Sequence, residues 1–180
     1  VWQTKARDLD AELRRDKNIK TPFQAPLRPF KGELAGGTLG IVGAGHIAKE
    51  LAKRAKAFDM RVLCVTRTAR ELEHFDEVKV NDDANLKAML AASDFVALTC
   101  NLTDSNVGMI NKETLACMKP DSVLVNVGRG GLVDEKALYD ALAADTPTIG
   151  GAILDVWWQY PGRGGQPDPC WPSAYPFHEL

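Results

Sequence analysis

Three short groups of residues in this 180-residue chain have types and positions suited to chemistry. Gly43-Ala-Gly45, Thr66-Arg67-Thr68 and Arg129 each stand at the end of a short apolar run. A glycine-rich turn that opens a helix presents backbone N–H groups to a phosphate. A guanidinium binds a carboxylate or a phosphate through paired, charge-assisted hydrogen bonds. These groups predict anion recognition, and their joint action depends on the elements that position them.

Strands and helices are predicted to alternate between residues 36 and 158. Short apolar runs predict the strands, and apolar residues at helical spacing predict the helices between them. The predicted strands are Thr38–Val42, Val62–Val65, Val78–Val80, Phe95–Leu98, Val123–Val127 and Ile149–Leu154, and the predicted helices lie at 47–58, 86–90, 111–118 and 135–142. Uniformly apolar strands with short connections are typical of a Rossmann-type α/β fold, a doubly wound parallel sheet with helices on both faces.

The composition excludes several classes of protein. Hydrophobic residues make up 45% of the chain, charged residues 26%, and the net charge is −2, so we expect neither nucleic-acid nor membrane binding. No apolar stretch approaches the roughly 18 residues that a membrane-spanning helix needs. The four cysteines, Cys64, Cys100, Cys117 and Cys170, lack the spacing of a metal site. We therefore expect no metal, and reduced, mostly buried thiols in a cytoplasmic protein.

The glycine turn has the spacing of a dinucleotide-binding fingerprint. Gly43 would make the tight turn after the first strand, and Gly45 would let a pyrophosphate approach the amides of the helix N-terminus. Ala48 stands where a third glycine is common, at a position that governs only the packing of helix on strand. The glycines alone also fit a plain tight turn, but their place between a predicted strand and a predicted helix favours dinucleotide binding.

The residues after the second predicted strand bear on which dinucleotide binds. An NAD site usually places Asp or Glu about 20 residues beyond the glycines, where the carboxylate accepts hydrogen bonds from the ribose. This chain has Thr66-Arg67-Thr68 there, a cluster of donors suited to the 2′-phosphate of NADP. The alternative is a solvated Arg67 beside an NAD site that lacks its acid. The sequence favours NADP and leaves NAD open.

Over roughly residues 34–161 the chain resembles the nucleotide-binding domain of the D-isomer-specific 2-hydroxyacid dehydrogenases. The likeness rests on residues 39–47, on Asn101-Leu-Thr103 in place of the usual Pro-Leu-Thr, on residues 152–156, and most strongly on Met118-Lys-Pro-Asp-Ser-Val-Leu-Val-Asn-Val-Gly-Arg-Gly-Gly-Leu-Val-Asp134. The resemblance implies hydride transfer between NAD(P)H and a small 2-oxo or 2-hydroxy acid, such as glyoxylate or hydroxypyruvate. It also implies a homodimer for the full-length protein.

The resemblance assigns a role to Arg129, which corresponds to the arginine that grips the carboxylate and carbonyl of the substrate. From the residues alone, a salt-bridged arginine in a strand–helix loop fits equally well. The family also places the backbone near Cys100 and Val127, and the side chain of Asp155, at the nicotinamide. Together with the glycine turn, the predicted cofactor contacts are Gly43, Gly45, His46, Ile47, Thr66, Arg67, Thr68, Cys100, Asn101, Asn106, Val127, Gly128, Arg129 and Asp155.

The resemblance further implies that the chain is one domain of two. Residues 36–158 would form the NAD(P)-binding domain, and residues 1–35 would be a hinge segment from the other domain. Residues 159–180 would be a truncated return segment, since five of the ten prolines and three of the fifteen glycines fall between Pro161 and Pro176. Trp157 and Trp158 would pack beneath this connection or form an aromatic wall of the substrate pocket.

The family's acid–base pair is incomplete in this chain. Tyr160 occupies the place of a glutamate that raises the pKa of the catalytic histidine, and a neutral phenol supplies no comparable charge. The histidine itself is absent, because His178 comes too early in the family's pattern. We therefore expect the isolated chain to bind cofactor and to show at most trace activity.

Tyr160 keeps two other functions open. The NAD-dependent formate dehydrogenases, a branch of the same family, also have Asp-Val-Trp with glutamine in the acid's place, and their substrate needs no acid–base pair. Other members of the family are NAD(H)-sensing corepressors, in which bound nucleotide closes the fold to present a protein surface. A Pro-His pair after the proline-rich segment would favour an enzyme, and its absence would favour a binding protein.

Overall fold

The computed structural model describes residues 33–162, 164, 167 and 170–180, so predictions for residues 1–32 lie outside the described residues. Strands and helices alternate along this part of the chain. The strands are β1 (Thr38–Val42), β2 (Arg61–Thr66), β3 (Glu77–Val80), β4 (Phe95–Leu98), β5 (Val123–Asn126) and β6 (Gly151–Leu154). The α-helices are α1 (His46–Lys56), α2 (Asp83–Ala92), α3 (Lys112–Leu115) and α4 (Glu135–Ala143). None of the described helices has the length and apolar character to cross a membrane.

The six strands form one parallel sheet in the order β3-β2-β1-β4-β5-β6. Helix α1 packs on one face of the sheet through Ala48 and Ala52, against Val62. Helices α2, α3 and α4 pack on the other face through side chains that include Leu90 and Leu138. The predicted Rossmann-type fold is confirmed. The strand order reverses between β1 and β4, which is where ligands bind in open α/β sheets.

Four predicted elements are shorter in the structure. The helix predicted at 47–58 ends at Lys56 and the strand predicted to end at Val127 ends at Asn126, and the other two differ more. The helix predicted at 111–118 ends at Leu115, because Pro120 follows closely and the N–H groups of the next turn bond three residues back, as in Met118 to Leu115. The strand predicted from Ile149 begins at Gly151. Its partner β5 begins only at Val123, which pairs with Gly151, so the two earlier residues have no strand to extend.

The cysteines are less buried than expected. Cys64 on β2 is buried, whereas Cys100, Cys117 and Cys170 are partly exposed, and all four are free thiols. Burial raises the pKa of the Cys64 thiol to about 12, so that thiol stays protonated and unreactive at neutral pH.

Asp76, directly before β3, connects the start of that strand to β2. Its carboxylate accepts the backbone N–H of Val62 at 2.7 Å and the ammonium of Lys56 at 2.9 Å. These contacts, the backbone N–H above all, hold the pKa of the Asp76 carboxyl below its ordinary value of 3.8. Because the pKa is lowered in the folded state, this contribution to stability is present above about pH 4 and is lost as the pH falls further.

We expect Asp76→Asn to lower the free energy of unfolding at pH 7 by about 1 kcal/mol, a modest loss because the carboxylate is partly exposed and screened. The difference from the unsubstituted chain should shrink as the pH falls below about 4, because protonation of Asp76 removes the charge on which its contacts depend. Urea unfolding at several pH values measures it, with the exposed Asp145→Asn as control. A difference that does not shrink as the pH falls below about 4 would contradict this account.

Candidate functional site

The predicted site residues that follow strands lie together at one edge of the sheet. Because all strands are parallel, the residues that follow their C-terminal ends meet at the same edge, here called the carboxyl edge. Gly43 follows β1, Arg67 follows β2, Cys100 lies just beyond β4, Gly128 just beyond β5, and Asp155 follows β6. The fold therefore brings together groups that are far apart in the sequence.

Gly43 makes the turn that connects β1 to α1. Its φ of +99° lies in the region that favours glycine, and its N–H donates to the carbonyl of Val65 at 2.8 Å. A Cβ at this position would lie 2.8 Å from the Cβ of Cys100, across the β1–β4 switch point. Thr99, which was not predicted as a site residue, donates its hydroxyl to the carbonyl of Val42 at 3.0 Å. Glycine is therefore required at position 43.

The N-terminus of α1 is open to a ligand. Gly45 is its N-cap and provides no side-chain hydrogen bond, whereas the side chains of Asp82, Asn111 and Asp134 cap the other three α-helices of the described residues. A Cβ on Gly45 would meet nothing within 4 Å. The first-turn N–H groups of a helix have no partners within the helix, and they carry its positive dipole end. This open cradle of donors fits the pyrophosphate of a dinucleotide.

Several other predicted cofactor residues are exposed near this cradle. His46 and Ile47 form the first turn of α1, and Ile47 is 55% exposed although it is apolar. Arg67 and Thr68 follow β2 and are also exposed. None of the acidic side chains in the described residues forms an ion pair with Arg67. Its guanidinium is available to an anion.

Asn106 shapes the loop that follows β4. Its Oδ1 accepts the N–H of Thr103 at 2.7 Å, and its Nδ2 donates to the carbonyl of Asn101 at 2.8 Å. The same Nδ2 lies 3.9 Å from the sulfur of Cys100, whose thiol pKa is raised by burial. Both ends of the Asn106 amide are thus used within the loop, and its contact with a cofactor stays a prediction.

Arg129 projects from a short loop after β5. Its side chain is exposed, and its Nη1 donates to the carbonyl of Gly128 at 2.7 Å. A Cβ on Gly128 would lie 2.8 Å from the carbonyl oxygen of Cys100, so the loop passes close to the end of β4. No carboxylate of the described residues forms an ion pair with Arg129. The described residues therefore do not support the interpretation of Arg129 as a salt-bridged loop residue.

The segment after β6 packs against the Arg129 loop. The exposed Asp155 donates its N–H to the carbonyl of Asn126 at 3.0 Å. The backbone of Trp157 leaves no space for a Cβ on Gly130. Tyr160 accepts the N–H of Trp157 on its hydroxyl at 3.0 Å, so the residue in the acid's place bends this segment back on itself.

The C-terminal residues dock on α4 and on this segment. The ring of Trp158 stacks on Phe177 with centroids 5.6 Å apart and donates its N–H to the carbonyl of Val133 at 2.8 Å. Glu135 accepts the hydroxyl of Ser173 at 2.6 Å. Trp158 is thus a packing residue. Trp157 and residues 171–178 line a cavity of about 260 Å³, and the role of Trp157 as a substrate wall stays a prediction.

The comparisons with known proteins fit this geometry. Residues 3–171 match the model of the D-isomer specific 2-hydroxyacid dehydrogenases, NAD binding domain. The chain is 45% identical over 129 residues to a glyoxylate reductase of Pyrococcus furiosus, which covers 72% of this chain and 37% of that protein. It is 41% identical over 133 residues to a glycerate dehydrogenase of Methylorubrum extorquens, which covers 74% of this chain and 38% of that protein. The chain spans well under half the length of these relatives.

A solved structure gives the same result for the fold. The chain superimposes on the NAD-complexed form of a D-isomer specific 2-hydroxyacid dehydrogenase from Lactobacillus delbrueckii ssp. bulgaricus with a TM-score of 0.70 and 29% identity. The superposition covers 86% of this chain and 45% of that one. With the glycine turn, the open helix N-terminus and the family match over nearly its whole length, the chain belongs to the D-isomer specific 2-hydroxyacid dehydrogenases, as their NAD binding domain.

Proposed function

We propose that the whole protein is an NAD(P)-dependent dehydrogenase that interconverts a small 2-oxo acid, such as glyoxylate or hydroxypyruvate, and the corresponding 2-hydroxy acid. The observation that carries this proposal is the exposed guanidinium of Arg129 at the same sheet edge as the uncapped N-terminus of α1. The names of the relatives, glyoxylate reductase and glycerate dehydrogenase, support this substrate class.

Each part of the carboxyl edge has a task in this proposal. Gly43 and Gly45 give the diphosphate access to the first-turn N–H groups of α1, and Gly128 and Asp155 line the nicotinamide end. When bound, the nicotinamide supplies or accepts a hydride. Arg129 holds the carboxylate of the substrate and stabilises the negative charge that develops on its carbonyl oxygen.

Tyr160 bears on the choice of substrate. A carboxylate beside a histidine raises the pKa of the imidazole and readies it to donate a proton. Tyr160 offers a phenol in place of that carboxylate, and its oxygen already accepts the Trp157 N–H. Formate, whose oxidation releases no hydroxyl proton, is therefore a second candidate substrate.

Turnover by the whole protein tests the proposal. We expect NAD(P)H to be oxidised with glyoxylate or hydroxypyruvate, and no NAD(P)⁺ to be reduced with formate. Formate oxidation without glyoxylate reduction would replace the substrate class by that of a formate dehydrogenase. Tight cofactor binding without turnover of any of these acids would indicate a nucleotide-sensing binding protein.

We also propose that NADPH is preferred over NADH, since the exposed Arg67 and the flanking hydroxyls stand where an NAD site has its acid. We expect Arg67→Ala to weaken NADPH binding by about 10–100-fold, the usual effect of removing a hydrogen bond to a charged group, and to leave NADH binding unchanged. Calorimetric titration of the chain with each nucleotide measures this. Arg70→Ala, at an exposed arginine three residues further on, is the control. Equal losses for both nucleotides would mean that Arg67 does not contact the 2′-phosphate.

A further inference from the structure

Asn126 is an unusual residue for its position at the C-terminal end of β5. It follows three apolar residues, and its side chain is fully buried. It is the one buried polar side chain at the carboxyl edge among the described residues, since Ser93 and Ser122 lie at the opposite edge and Thr114 lies in α3. Burying an amide is costly unless its donors and acceptor are satisfied.

The amide of Asn126 is satisfied by the loop that carries Arg129. Its Nδ2 donates to the backbone carbonyl of Arg129 at 2.9 Å, and its Oδ1 accepts the N–H of Gly128 at 3.1 Å. Its own backbone carbonyl accepts the N–H of Asp155 at 3.0 Å. Asn126 therefore hydrogen-bonds both to the loop after β5 and to the first residue after β6.

Arg129 depends on this loop for its position. In the described residues its guanidinium has one hydrogen bond, to the carbonyl of Gly128, which is the residue whose N–H Asn126 holds. A displacement of residues 128–129 would move the guanidinium with them. We propose that Asn126 is a positioning residue that aims Arg129 at the substrate carboxylate, an inference that rests on the proposed function.

The chemistry of the amide predicts how aspartate would behave at this position. An ionised carboxylate has no donor for the Arg129 carbonyl and places a negative oxygen against it. A protonated carboxyl has one O–H donor and one acceptor, so it can make both bonds of the asparagine. Burial favours the protonated form of such a carboxyl. Asn126→Asp should therefore hold the Arg129 loop in place at low pH and lose these hydrogen bonds as the pH rises. Asn126→Ala should not hold the loop at any pH.

Oxamate, an unreactive analogue of a 2-oxo acid, tests the inference in the whole protein saturated with NAD(P)H. We expect Asn126→Ala to weaken oxamate binding by about 10–100-fold, the usual effect of misplacing a binding group, while NAD(P)H affinity changes less than about threefold. In Asn126→Asp we expect oxamate affinity to recover towards that of the unsubstituted protein as the pH falls. In an Arg129→Gln background, Asn126→Ala should add no further loss.

Ser122→Ala is the matched control, because Ser122 is buried at the other end of β5 and donates its hydroxyl to the carbonyl of Lys119. It should lower stability without changing oxamate affinity. Additive losses from Asn126→Ala and Arg129→Gln, or an Asn126→Asp protein with no pH recovery, would overturn the positioning role while the proposed function stands. Failure of the unsubstituted protein to bind oxamate and to reduce any 2-oxo acid would overturn both.

Discussion

Arg129→Gln is expected to lower kcat/KM of the whole protein for glyoxylate or hydroxypyruvate by about 10²–10³-fold, the range for loss of one preorganised group that stabilises transition-state charge. Glutamine keeps hydrogen-bonding capacity but loses the positive charge and the paired donors. The fold should be unaffected, because the side chain is exposed and its hydrogen bond within the described residues is to the neighbouring Gly128 carbonyl. Initial-rate kinetics with varied 2-oxo acid at saturating cofactor give the measurement.

Arg129→Lys is the matched comparison, since it retains the charge without the planar fork of donors. We expect it to recover part of the lost kcat/KM. The Kd of NAD(P)H should stay within about threefold of the unsubstituted value in both variants, because the diphosphate is assigned to α1. A parallel loss of cofactor affinity and kcat/KM would show that Arg129 acts on the nucleotide instead of the substrate.

Gly45→Ala is expected to weaken NAD(P)H binding by about 10–100-fold with only a small loss of thermal stability, the loss that follows from placing alanine at an N-cap. The added methyl group would occupy the space that a diphosphate needs, and crowding of this kind costs about 1–3 kcal/mol. In the chain without ligand the same methyl group meets nothing within 4 Å, and the φ of −77° suits any L-residue. Calorimetric titration and thermal unfolding of the chain measure the two effects separately.

Two further variants sharpen this test. Gly43→Ala should lose both affinity and stability, because its φ is +99° and its Cβ would lie 2.8 Å from that of Cys100. Lys53→Ala, at an exposed position on α1 beyond the first turn, should change neither. Unchanged NAD(P)H affinity in a folded Gly45→Ala chain would mean that the diphosphate binds elsewhere.

The order of elements and the glycine turn could be predicted from the sequence because both are local patterns. Apolar runs such as Phe95–Leu98 indicate buried strands by composition alone, and Gly43 and Gly45 stand directly between a strand and a helix. Element ends were less predictable. The start of β6 depends on where β5 begins, and that partner lies far away in the sequence.

Contacts between residues of different strands could not be predicted in this way, because spacing along the chain does not show which strands lie side by side. The contact of Cys100 with Gly43 exists because β4 lies beside β1, and the docking of residues 171–180 on α4 joins segments through aromatic rings such as Phe177 and Tyr139. The sequence by itself determined the parallel α/β fold and the candidate anion-binding groups at the strand ends. Only the tertiary structure decided that Asn126 holds the Arg129 loop, because the role of a buried amide depends on the groups to which it is hydrogen-bonded.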